Sequence, residues 1–170
     1  MKGTVHISRK EIQNRTVELG REISADYKGK ELLIVVLLRG SFIFAADLVR
    51  AIDCDIIVDF MKVSSYMGKQ SSGEVRILKE LDENVHGRHV LIVEDIVDTG
   101  LTLDKILELL KSRNPRSMEI CTLLSKPSQR VLDVYSKYIG FEIENKFVVG
   151  YGLDYDQRYR HLPDIMEMAD

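Results

Sequence analysis

The chain has 170 residues, 45% hydrophobic and 30% charged, ordinary proportions for a single soluble domain long enough to bury a substantial core. A formal net charge of −3 and an isoelectric point of about 5.8 argue against a general binder of nucleic acid or of an anionic membrane. Cys54 and Cys121 have neither CxxC spacing nor histidine partners at metal-ligand spacing. They read as buried free thiols, and with no signal peptide and no apolar run of membrane length the expectation is a soluble, cytoplasmic protein.

Between Ile7 and Tyr27, Ile12, Thr16, Leu19 and Ile23 recur at helical spacing. Ser8 with Glu11 three residues on makes a capping box, and Gly29 ends the helix. Leu32 to Leu38 is a branched apolar run of strand length. Arg39-Gly40-Ser41 then turns the chain into a helix carrying Phe44, Ala45, Leu48 and Ile52. Ile56 to Val63 reads as a strand, Ser64 to Gly73 is polar and aperiodic, Val75 to Leu78 returns as a strand, and Asp82 to Gly87 turns.

The central stretch, VLIVEDIVDTGLTL from Val90 to Leu103, repeats the strand–turn–helix pattern with unusual chemistry at the turn. Val90 to Val93 suits a parallel strand buried on both faces. Glu94, Asp95 and Asp98 follow with no basic residue among them, and carboxylates at the end of a buried strand must be solvated, paired or bound to a cation. A divalent metal or a polyhydroxyl ligand answers that need. Asp98-Thr99-Gly100-Leu101-Thr102 supplies hydroxyls, a permissive glycine and free N–H groups where a helix carrying Leu103, Ile106, Leu107 and Leu110 begins, the makeup of a phosphate cradle.

Asn114-Pro115 breaks that helix, Glu119 to Leu124 is a further strand, and Lys126-Pro127 stands at its end. Val131, Val134, Tyr135 and Tyr138 predict a short amphipathic helix. Phe147-Val148-Val149 precedes a glycine-bracketed turn, and the tail to Asp170 is acidic and carries no pattern. Alternating strands and helices predict a single α/β domain with a parallel sheet and its sites at the carboxyl ends of the strands. Arg39, Glu94 and Lys126 each fall at such an end, so three strands point chemistry to one edge.

Two simpler readings weigh against this. An acidic turn that only caps a helix accounts for Asp98 but leaves Glu94 and Asp95 without a task. The Asp-Thr-Gly of aspartic proteases occurs once here and is followed by helical pattern where that class needs strands.

The string VEDIVDTGLT resembles the phosphoribosyl-pyrophosphate (PRPP) signature of the purine phosphoribosyltransferases, most nearly the hypoxanthine-guanine group. LLRGSFIFAADLV from Leu37, SSYMGKQSSGEVRILKELD from Ser64 and FEIENKFVVGYGLDYDQRYRHLPDI from Phe141 are similar to the same family in the same order. The resemblance implies one phosphoribosyltransferase domain over residues 1–170: a central, mostly parallel sheet flanked by helices, a small hood formed by the terminal segments, and a mobile lid loop.

By the same resemblance the activity is purine salvage, transfer of the 5-phosphoribosyl group from PRPP to hypoxanthine or guanine with Mg²⁺ as cofactor; a PRPP-binding regulator without turnover is the alternative. Asp98 to Thr102 (Asp98, Thr99, Gly100, Leu101, Thr102) would hold the 5′-phosphate, and Asp98 would manage the purine N7 proton. Glu94 and Asp95 would take the ribose and metal, with Asp154 at a second metal. Arg39, Gly40 and Arg160 would meet pyrophosphate, and Ser65 and Tyr66 would close the lid. Lys126, Phe147 and Val148 would bind the base. Family precedent adds a homodimer or homotetramer, and no nucleic-acid or membrane partner.

Overall fold

A computed structural model describes residues 3–65 and 75–168. The expected lid residue Tyr66 lies outside the described residues, as do most of Ser64 to Gly73 and the Ser65 side chain. Among the described residues no helix is long and apolar enough to cross a membrane.

The first strand, β1 (Gly3–Ile7), leads into α1 (Arg9–Asp26), whose predicted capping box is present: the Glu11 N–H donates to Ser8 Oγ, and the Ser8 N–H donates to the Glu11 carboxylate. Strand β2 (Glu31–Leu38) and helix α2 (Phe42–Ala51) follow, then β3 (Asp55–Ser65) and β4 (Val75–Lys79). The central unit is β5 (His89–Val97) and α3 (Leu101–Lys111), and beyond it come β6 (Ser117–Ser125), β7 (Tyr138–Glu142), β8 (Val148–Val149) and β9 (Ile165–Met168).

Six strands form one sheet in the order β4-β3-β2-β5-β6-β7, parallel throughout except for β4, which pairs antiparallel with β3. The alternation of side chains along the buried strands feeds two cores. Leu32, Ile34 and Val36 of β2 and Leu91 and Val93 of β5 pack toward α1 and α2, with Ile12, Leu19, Phe44 and Leu48. Leu33, Val35, Leu37, Val90 and Ile92 pack on the other face, with Leu103, Ile106 and Leu110 of α3. Helices on both faces explain why these strands read as continuous apolar runs.

Two expectations need correction. The segment with Val131, Val134, Tyr135 and Tyr138 is not a helix: a 3-10 turn at Pro127–Gln129 gives way to irregular chain, and Tyr138 opens β7. Its apolar residues do not share a buried face, since Val131 and Tyr135 are 65% and 75% exposed. The terminal segments do form the expected hood, with β9 between β1 and β8 in a separate three-stranded antiparallel sheet. Of the two thiols, Cys121 is buried and Cys54 only partly so; both are free.

Candidate active site

Three loops meet at the carboxyl edge of the parallel sheet. The β2–α2 turn contains a cis peptide between Leu38 and Arg39 and a bond from Ser41 Oγ to the Leu37 carbonyl. Its Gly40 faces the Asp95 carboxylate so closely that an added Cβ would overlap it. Gly152, at φ +102°, lies in turn against the Gly40 carbonyl, where a Cβ has no room. Gly152 must be glycine here, and Gly40 takes a Cβ only if the Asp95 carboxylate moves; this nesting draws β2, β5 and the 150–160 loop onto one another.

Glu94 and Asp95 lie inside β5, which continues to Val97, rather than after the strand. Each carboxylate bonds main chain: Glu94 Oε1 accepts from the Asp95 N–H at 2.9 Å, and Asp95 Oδ1 from the Ile96 N–H at 2.9 Å. Neither forms an ion pair among the described residues. Burial, reinforced by the Asp95 charge beside it, raises the Glu94 carboxyl well above the usual carboxylate range.

A cavity of about 440 Å³ is lined by Arg39, Gly40, Lys62, Glu94, Asp95, Thr102, Asp154, Gln157 and Arg160, with Leu37, Leu38, Val63 and Ile106. Its basic side is already converged. Gln157 Oε1 accepts from Arg39 Nη1 at 2.7 Å and from Arg160 Nη2 at 3.0 Å. Asp154 Oδ1 pairs with Arg160 Nη2 at 2.9 Å, and Asp154 Oδ2 accepts from the Gln157 N–H. Among the described residues no three acids, histidines or cysteines cluster as metal ligands, so Glu94, Asp95 and Asp154 share a cavity without forming a three-ligand cage.

A second cavity of about 120 Å³ lies under the β5–α3 turn, lined by Glu94, Ile96, Val97, Asp98, Thr99, Gly100, Thr102 and Leu103. Gly100, at φ +84°, is the N-cap of α3, so N–H groups without intrahelical partners, that of Leu101 donating to Thr99 Oγ1 at 3.4 Å, and the positive end of the helix dipole lie at this turn. Glu94 and Thr102 line both cavities, which makes them neighbouring compartments of one site.

The remaining expected residues lie around this edge. Lys126 is nearly buried, with Nζ 4.0 Å from Asp98 Oδ2. Phe147 is 52% exposed and meets Tyr155 edge-on at 5.6 Å between ring centres. Val148 is buried in β8, and Leu101 is exposed on the first turn of α3. Lys126, Phe147, Val148 and Leu101 line neither cavity. Sequence reasoning missed Gln157 and Lys62, which line the larger cavity; neither carries a local signal that marks it.

Two compartments at the C-terminal edge of a parallel sheet, one rich in donors and the other holding two arginines beside paired acids, suit a ligand with anionic groups at both ends and hydroxyls between. Residues 8–156 match the model of the phosphoribosyl transferase domain, and the chain belongs to that family. Among its relatives, the hypoxanthine phosphoribosyltransferase of Salmonella typhimurium is 54% identical over 168 residues, 96% of this chain and 94% of that one. The hypoxanthine-guanine phosphoribosyltransferase of Mycobacterium avium is 52% identical over 166 residues, 94% of this chain and 82% of that one. The crystal structure of a hypoxanthine phosphoribosyltransferase from Staphylococcus aureus superposes with a TM-score of 0.94 at 48% identity, covering 97% of this chain and 90% of that one.

Proposed function

We propose that residues 1–170 act as one phosphoribosyltransferase domain that transfers the 5-phosphoribosyl group from PRPP to hypoxanthine or guanine, giving IMP or GMP and pyrophosphate. The observation that carries this reading is the pair of compartments joined at Glu94 and Thr102. PRPP has a phosphate at one end, a diol in the middle and pyrophosphate at the other, and each part has a complementary surface. Hypoxanthine(-guanine) specificity comes from the relatives at 52% to 54% identity.

In this assignment the N–H groups and hydroxyls of Thr99 to Thr102 hold the 5′-phosphate in the smaller cavity. Glu94 and Asp95 orient the ribose hydroxyls. Arg39 and Arg160 take the pyrophosphate, which adds a role for the Arg39 side chain to that of the loop backbone at Gly40. Phe147, through its exposed ring, stacks on the purine, the Val148 main chain meets the base edge, and Lys126 donates to the 6-oxo group. Asp98, half-exposed beside Lys126, accepts the N7 proton as the base attacks C1′.

The oxygen donors at Glu94 and Asp95 fit a hard divalent cation, and the burial and mutual repulsion that raise the Glu94 carboxyl are what such a cation would relieve. Glu94 and Asp95 would hold Mg²⁺, which would supply positive charge to offset that of the leaving pyrophosphate. Asp154 already pairs with Arg160, so it would serve a second ion only by sharing. We place the enzyme in the cytoplasm as a homodimer or homotetramer. Val58 and Phe60, two apart on β3 and 37% and 40% exposed, offer an apolar sheet face for a second copy.

The test is incubation with PRPP, Mg²⁺ and a panel of bases. IMP or GMP with equimolar pyrophosphate is expected, abolished by EDTA and restored by Mg²⁺; PRPP binding without nucleotide formation would instead define a regulator.

A further inference from the structure

Residues 126–132, which join the end of β6 to the segment expected as a helix from Val131, form a strap across the β5–α3 turn. The Lys126 N–H donates to the Val97 carbonyl at 3.0 Å, and the Val131 and Leu132 N–H groups both donate to the Thr99 carbonyl, at 3.0 and 3.1 Å. Between these two carbonyls lies that of Asp98, which accepts from Arg130 Nη1 at 2.5 Å. Arg130 Nη2 is fixed at the other end by Ser125 Oγ, 2.9 Å away on a residue only 2% exposed.

Three successive carbonyls are thus held toward the strap. Two are held by main-chain amides, which any sequence supplies, and the middle one by a single side chain. In a trans peptide the C=O and N–H point in opposite directions. Holding the Asp98 carbonyl toward Arg130 therefore aims the Thr99 N–H away from the strap, toward the small cavity, which no strap residue lines. If that peptide turned over, a carbonyl oxygen would face the cavity, and an acceptor facing an anion repels it.

We propose that Arg130 is a positioning residue for phosphate recognition: its guanidinium locks the Asp98–Thr99 peptide so that the loop presents a donor to the 5′-phosphate. This rests on the assignment of that cavity to the 5′-phosphate. The planar fork of arginine matters, because one group must reach both the Asp98 carbonyl and the Ser125 hydroxyl, which an ammonium on a flexible stem does poorly. A purely structural clasp would instead set stability and leave phosphate recognition untouched.

The discriminating quantity is the ratio of dissociation constants for inosine and IMP, measured by calorimetry, because it isolates what the 5′-phosphate contributes. Arg130→Met should lower the ratio about tenfold or more, the scale of one charge-assisted bond, while inosine binds within about threefold of wild type. Arg130→Lys should lie between, at roughly threefold, and provides the readout if Arg130→Met does not fold. Thr102→Val tests the underlying assignment and should also lower the ratio. An unchanged ratio in Thr102→Val overturns the phosphate assignment. A lowered ratio there with wild-type ratios in the folded Arg130 variants overturns the role of Arg130 alone.

Discussion

Asp98→Asn separates two roles for the carboxylate by size of effect. Asp98 Oδ2 is 4.0 Å from Lys126 Nζ, and the side chains are 48% and 9% exposed. Two unit charges at that distance interact by about 4 kcal/mol at an effective dielectric of about 20. Solvent reaching the half-exposed carboxylate reduces this toward the ~1 kcal/mol of surface pairs, worth roughly a factor of five. If Asp98 only paired Lys126, turnover should fall by about that factor. Loss of a group that accepts the purine proton costs about 10²–10⁴-fold, or ~2.7–5.4 kcal/mol at 1.36 kcal/mol per decade. PRPP affinity should change little, because the loop is held through the Asp98 carbonyl, which asparagine retains. Single-turnover IMP formation beside PRPP titration measures both. A chemical rate within tenfold of wild type would refute the proton-accepting role.

Other perturbations probe the rest of the site. Gly40→Ala drives a Cβ into the Asp95 carboxylate; since that side chain can rotate away, the fold should survive, with kcat/KM for PRPP down about 10–100-fold from misplacement of a ribose-binding group. Unchanged kcat/KM would show that Asp95 placement is not critical. In EDTA, Glu94→Gln should raise Tm at neutral pH. The folded carboxyl titrates well above 4.5, so the cost of ionising it is absent below that pH, grows as pH rises toward the folded value, and is constant beyond. Melting curves of the two proteins should therefore converge on acidification, and a gap that widened instead would contradict the burial argument. Phe147→Ala removes the exposed ring and should weaken purine binding about 5–150-fold, the range of one base–aromatic stack, while leaving PRPP binding near wild type. Equal losses for both ligands would remove Phe147 from the base site.

Much of the fold was legible because its signals are local. The Ser8/Glu11 box fixed the start of α1, and β2 and β5 announced themselves as apolar runs because helices cover both their faces. The donor loop was legible for the same reason: Thr99, Gly100 and Thr102 sit where strand chemistry turns into helix chemistry. The hood came only from the family resemblance, since β1, β8 and β9 are short and take their form from one another, with Val148 paired to Glu167 across more than a dozen residues of intervening chain. The helix expected on Val131, Val134, Tyr135 and Tyr138 failed for a different reason. Its apolar spacing imitates a helix, but the Val131 and Leu132 N–H groups are spent on the Thr99 carbonyl, a partner that only the tertiary fold supplies. Gln157 likewise gains meaning only when Arg39, 118 residues away, arrives beside it.

The central claim is that the carboxyl edge of the sheet forms one PRPP site in two compartments. A crystal structure with IMP, Mg²⁺ and pyrophosphate tests it most directly. The account predicts the 5′-phosphate against the N–H groups of Thr99 to Thr102 and pyrophosphate between Arg39 and Arg160, with Gln157 displaced from at least one guanidinium. The purine should lie on Phe147 within hydrogen-bond reach of Lys126. A 5′-phosphate bound at the arginines, or a purine away from Phe147 and Lys126, would contradict it.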